Sequence, residues 1–173
     1  MSKLKTKQKV ALIVVAGIVG TILTIAAIGF FGYLVLFHCD YGRVYNDYIE
    51  YDDSYYSVEI TVKEIISSRD GQSAYLYVKN PQNSDYSYWI CGKNYQTLVD
   101  SDFFDVVAED TVITIYSHPY IAWDGWVCPL LGVTVGDQEY LDFETGKQNW
   151  LDTLKQWSED YGFLQTPIKE QRN

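Results

Sequence analysis

The chain has 173 residues, 47% hydrophobic and 16% aromatic, with 13 basic against 23 acidic side chains and a net charge of −10. Residues 1–9 carry Lys3, Lys5, Lys7 and Lys9 and no acid, so residues 38–173 hold nine basic against 23 acidic residues, a net of −14. A surface this acidic excludes nucleic acid as a partner, since that binding needs Lys and Arg to displace counterions from phosphates, and it equally excludes lying flat on anionic lipid.

After the basic tail of residues 1–9, residues 10–37 (VALIVVAGIVGTILTIAAIGFFGYLVLF) run for 28 positions without a charge. As a helix they would be roughly 42 Å long, and a bilayer core takes about 20 apolar residues, so a single transmembrane helix is predicted. A cleaved signal peptide has a shorter apolar region and a small-residue cleavage site, so this run reads as a signal anchor. Lysines next to a span are retained in the cytoplasm. The expected topology is therefore a single-pass cell-membrane protein, N-terminus cytoplasmic and C-terminal domain extracytoplasmic. Ala16, Gly20 and Thr24 recur at four-residue spacing, which allows close helix approach in lipid and makes them the candidate helix-packing positions. The plainer alternative is ordinary membrane-helix composition.

Residues 38–56 form a Tyr-rich juxtamembrane connector. Tyr41, Val44, Tyr48, Tyr51, Tyr55 and Val58 step by three and four, a heptad-like stripe that could extend the anchor as a stalk packing on a partner. Gly42, Asn46, Asp47, Asp52 and Asp53 are poor helix formers, which favours a partly ordered linker.

From residue 57 to 164 the pattern is that of an extracytoplasmic β-domain with a C-terminal helix. Residues 57–66 alternate Val58, Ile60 and Val62 with polar positions, a half-buried strand. Asp70-Gly71 marks the turn into a second strand at 74–79, and 86–91 (YSYWIC) reads as a third. Residues 95–107 suggest a short helical element. Further strands are predicted at 111–117, 127–135 and 139–143. Trp150, Leu154, Trp157 and Tyr161 then make the apolar stripe of a helix over 144–161. Residues 165–173 read as a flexible tail.

Three strands, a short helix and two or three more strands resemble the element order of the OB-fold over residues 57–143. That resemblance implies a small closed barrel, with a β-sandwich or an SH3-like barrel as alternatives. In an OB domain the loop between the fourth and fifth strands helps bind oligonucleotides or oligosaccharides. Here it carries Tyr120, Trp123, Asp124 and Trp126, aromatic faces beside a carboxylate. This set suits a sugar or a partner protein; the competing reading is that the aromatics cap the barrel or pack on the Trp150 stripe.

Cys91 and Cys128 are the disulfide candidates of an extracytoplasmic domain, against two separate buried thiols. The acids Asp100, Asp102, Asp105, Glu109 and Asp110 lack the central Gly and closing Glu of a calcium loop and read as a solvated face, so no metal or cofactor is expected. Beyond the membrane edge the only histidine is His118, and no nucleophile-elbow pattern surrounds a Ser or Cys. The expectation is a non-enzymatic interaction module or accessory subunit with a membrane-protein partner. The alternative is a domain that binds cell-envelope polysaccharide.

Overall fold

The structure, a computed structural model, describes residues 6–37, 39–79, 87–119, 127–162 and 165–169. It divides into two compact units, Met1–Cys39 and Asp40–Asn173. The first is built on one helix, α1 (Thr6–Phe37), whose segment Val14–Gly32 has a mean hydropathy of 2.4 over 19 residues and is long and apolar enough to span a membrane. Within Val14–Gly32, Thr21 donates its hydroxyl to the Gly17 carbonyl and Thr24 to the Gly20 carbonyl, at 3.0 and 2.9 Å. Ala16, Gly20 and Thr24 all lie on exposed surface of α1.

The second unit is a seven-stranded mixed sheet with helices on it. Its strands are β1 (Tyr56–Ser67), β2 (Ser73–Val78), β3 (Ser87–Cys91), β4 (Val112–Ser117), β5 (Val127–Pro129), β6 (Gly132–Val135) and β7 (Gln138–Leu141). The helices are α2 (Tyr41–Glu50), α3 (Gly92–Asp100), α4 (Phe103–Val106) and α5 (Phe143–Tyr161). The spatial order is β5-β3-β2-β1-β4-β6-β7.

The sheet is not a closed barrel, which corrects the expectation drawn from element order. No ladder joins its two end strands. The expected strand over 127–135 is two strands: β5 runs parallel to β3, whereas β6 runs antiparallel to β4. Between them Leu130 donates its N–H to the Trp89 carbonyl of β3 at 2.8 Å, and Leu131 donates to the Tyr116 carbonyl of β4 at 2.9 Å. Consecutive residues thus bond to the two halves of the sheet and draw them together without a ladder across, and β5 and β7 are left as its edges.

β1 joins the two halves. Residues Tyr56–Thr61 pair with β4, and Val62–Ser67 pair with β2. An irregularity between Val62 and Glu64 shifts the alternation by one, so that Ile65 packs on the core while Ile66 is exposed. A bulge of this kind bends a strand and resets which side chains face inward.

Two apolar clusters lie on opposite sides of the strands. One gathers Ile60, Val62, Leu76, Tyr88, Ile90, Ile113 and Ile115 with Leu98 and Phe103 of α3 and α4. The other gathers Val44 and Tyr48 of α2 with Leu131 and with Trp150, Leu151 and Leu154 of α5. Residues 41–50 are therefore a core helix, and their apolar stripe is covered by α5 of the same domain. Asp142 starts α5 by accepting the Thr145 N–H at 2.8 Å, an ordinary N-cap. Trp150 and Leu154 are buried as the stripe predicts, whereas Tyr161 is exposed.

Residues 165–169, expected as part of a flexible tail, are fastened along α2. Asp40 accepts the N–H and the hydroxyl of Thr166 at 2.9 and 2.6 Å while also capping α2 through the Arg43 N–H. Buried Asn46 donates to the Pro167 carbonyl and accepts from the Lys169 N–H, at 3.0 and 2.8 Å. Partial burial acts to raise the Asp40 carboxyl, but the Thr166 hydroxyl, the Thr166 and Arg43 N–H groups and the Arg43 charge outweigh it and hold it below the ordinary carboxylate value. A depressed carboxylate stabilises the fold above its unfolded pKa of about 3.9 and ceases to do so as pH falls through the lower folded value. Asp40→Ala is expected to speed amide exchange at Thr166 and Lys169 about tenfold or more, because charge-assisted bonds of about 1.5–3 kcal/mol are lost. Acidification should loosen the same amides only below about pH 4. Hydrogen exchange on the full-length protein in micelles checks both.

Candidate binding cleft

A cleft of about 620 Å³ opens where α5 crosses β3, the start of α3 and the β1–β2 turn. Strand alternation sets its floor. Tyr88 and Ile90 point into the first cluster, so Trp89 between them emerges on the other side, packed against the second. There it meets Trp157 of α5, with ring centroids 5.7 Å apart and planes 24° from parallel, and Tyr75 of β2, at 6.4 Å and 10°. Trp89 and Trp157 are both half-buried and both line the cleft.

The chain passes from β3 directly into α3 because Gly92 adopts φ +57° and lets the helix approach α5; a Cβ there would lie 2.8 Å from the Thr153 hydroxyl. Buried Asn94 then pins the two helices. It donates to the Leu130 and Gly146 carbonyls at 3.2 and 2.9 Å and accepts from the Asn149 amide at 3.0 Å. On the rim Lys93 pairs with Asp152 at 3.3 Å, with both side chains well exposed. Asp70 in the turn accepts from the Ser68 hydroxyl and, at 3.1 Å, from the Gln72 N–H. The Trp89 indole N–H is buried with no hydrogen-bond partner among the described residues. An unmade bond of this kind costs about 1–3 kcal/mol, and the buried Trp150 indole N–H, away from the cleft, is in the same state.

The loop residues Tyr120, Trp123, Asp124 and Trp126 lie outside the described residues. Its two ends are held together, since the Ser117 hydroxyl donates to the Pro129 carbonyl at 2.7 Å. At its base buried His118 sits between Tyr48 and Tyr55, with ring centroids 4.5 and 4.7 Å away, and its Nε2 donates to the Tyr51 carbonyl at 3.2 Å. Burial pushes the imidazole below its usual pKa, against the opposing pull of the Tyr51 carbonyl and Asp52, and the nearby Lys147 charge adds to the lowering. Lys147 lies over the Tyr55 ring at 4.5 Å and pairs with Asp52.

Cys91 and Cys128 are thiols, not a disulfide. The structure sets them apart: Cys128 pairs with Tyr88 and joins the first cluster, whereas Cys91 joins the second. Desolvation raises the Cys91 thiol far above the ordinary range. Among the described residues no three His, Cys, Asp or Glu gather as a metal site. In the acidic run, Glu109 and Asp110 pair with Lys79 at 2.7 and 2.8 Å. Compared with models of known protein families and with curated proteins, the chain matches none.

The cleft was missed from sequence although part of its signal was present. Trp89 sits out of phase with its buried neighbours in YSYWIC, and Trp157 belongs to the α5 stripe. The convergence of both with the Asp70-Gly71-Gln72 turn is a matter of three-dimensional packing.

Proposed function

We propose that the chain is a membrane-anchored interaction module, a folded domain held on the outer side of a cell membrane that binds a ligand or partner without transforming it. The cleft carries this reading. Its floor is aromatic, its rim is made of amides and a weak exposed ion pair, and its volume falls in the range of about 300–1,000 Å³ of small-ligand sites. The topology rests on the four lysines of residues 1–9 set against the acidic residues after the span. The accessory-subunit reading has the same support.

Cysteines added one at a time to a Cys39→Ser background, in which Cys91 and Cys128 remain buried and the parent gives the baseline labelling, test orientation and occupancy separately. On intact cells a membrane-impermeant maleimide is expected to label Asp137→Cys in the exposed β6–β7 turn. Labelling only after permeabilisation would reverse the topology. Gln156→Cys, in the cleft, should react more slowly on cells than in purified protein, whereas Lys155→Cys, beside it on α5 but outside the cleft, should react equally in both. Equal reactivity of Gln156→Cys in the two settings would show a cleft that holds nothing.

A further inference from the structure

We infer that the cleft over Trp89 and Trp157 takes a neutral oligosaccharide, an assignment that rests on reading the cleft as a binding site. Charge is the first argument. The surrounding residues 38–173 carry a net of −14, yet the charged side chains lining the cleft are Asp70, Lys93 and Asp152 alone, a net of −1. An anionic polymer would be repelled by the surroundings. A basic peptide would seek uncommitted carboxylates, and the lining offers none: Asp152 is paired to Lys93, and Asp70 already accepts from Ser68 and Gln72.

Functional groups are the second argument. Gln72 and Gln156 reach the cleft from opposite sides, from the β1–β2 turn and from α5, and neither side-chain amide makes a hydrogen bond among the described residues. An amide presents a donor and an acceptor side by side, which matches adjacent hydroxyls on a sugar ring. The Lys93–Asp152 pair likewise sets a donor beside an acceptor, and its remaining N–H groups and lone pairs can serve a hydroxyl without the pair being broken. Between these polar groups lie the half-buried indoles of Trp89 and Trp157, stacked on each other, and the amphipathic ring surface they leave uncovered suits the C–H face of a pyranose. A ligand that is apolar on its faces and hydroxylated around its edge fits all of these groups together.

Calorimetric titration of the full-length protein in phosphatidylcholine nanodiscs tests this. The probes are chitotetraose, cellotetraose, maltotetraose and mannotetraose, with tetragalacturonate and tetralysine as charged counterparts. At least one neutral probe is expected to bind saturably. Its affinity should fall about tenfold or more in Trp157→Ala and in Gln156→Trp, the latter filling the cleft from an exposed position without disturbing the core. Asp137→Ala should leave it unchanged. Binding that survives Gln156→Trp overturns the site, and binding of a charged probe alone overturns the ligand class. If no probe binds while Gln156→Cys remains protected on cells, the glycan assignment falls and the interaction module stands. If that protection is absent as well, both fall.

Discussion

Tyr48→Ala is expected to destabilise the domain by about 3–5 kcal/mol, the usual result of deleting a large aromatic from a closed core. Tyr48 is 0% exposed, and its ring lies 4.5 Å from that of His118 and 5.9 Å from that of Trp150. It thereby joins α2 to both α5 and the end of β4. At about 3–5 °C per kcal/mol for a domain of this size, the melting temperature should drop by about 10–20 °C. Thermal unfolding of the full-length protein, followed by near-ultraviolet circular dichroism, measures it. Arg43→Ala, on the exposed side of α2, should stay within about 0.5 kcal/mol. If Tyr48→Ala melts with the wild type, α2 is a stalk that merely rests on the domain.

Gly146→Ala carries the second large effect, and its sign runs against helix propensity. In an open helix, alanine is better than glycine by about 1 kcal/mol. Gly146 sits in the second turn of α5, where an added Cβ would lie 1.9 Å from the Leu131 carbonyl oxygen and 3.2 Å from Leu141 Cδ2. The obstacle is backbone, so no rotamer change relieves it and α5 must move outward. That motion also pulls the Gly146 carbonyl away from the Asn94 amide, which holds α3 to α5. A net loss of about 3 kcal/mol is expected, at the upper end of overpacking effects. Lys155→Ala, on the exposed side of the same helix, is the control and should be near neutral. A variant of Gly146→Ala as stable as the wild type would mean that α5 is not seated on Leu131.

What the amino-acid order determined by itself was every feature set by near neighbours. An uncharged run of 28 residues over 10–37 favours a helix in an apolar surrounding, because there its backbone groups can bond only to one another. The alternation of Val58, Ile60 and Val62, the Asp70-Gly71 turn and the stripe of Trp150 and Leu154 were legible for the same reason. Even the β1 irregularity left a trace, since Ile65 and Ile66 break the two-residue period after Val62. Tertiary structure decided the rest. A heptad-like stripe at Tyr41, Val44 and Tyr48 states that something covers it, and only packing reveals that the cover is α5. Residues 165–169 have no apolar pattern; they are ordered by Asp40 and Asn46, more than a hundred positions away. Leu130 and Leu131 read as part of one continuous strand, and only the tertiary pairing shows that the strand divides there, β5 joining β3 and β6 joining β4. The cleft likewise exists because a turn, a strand and a helix far apart in the chain converge on Trp89 and Trp157. In each case the partner is chosen by long-range burial and hydrogen bonding, which residue spacing along the chain does not encode.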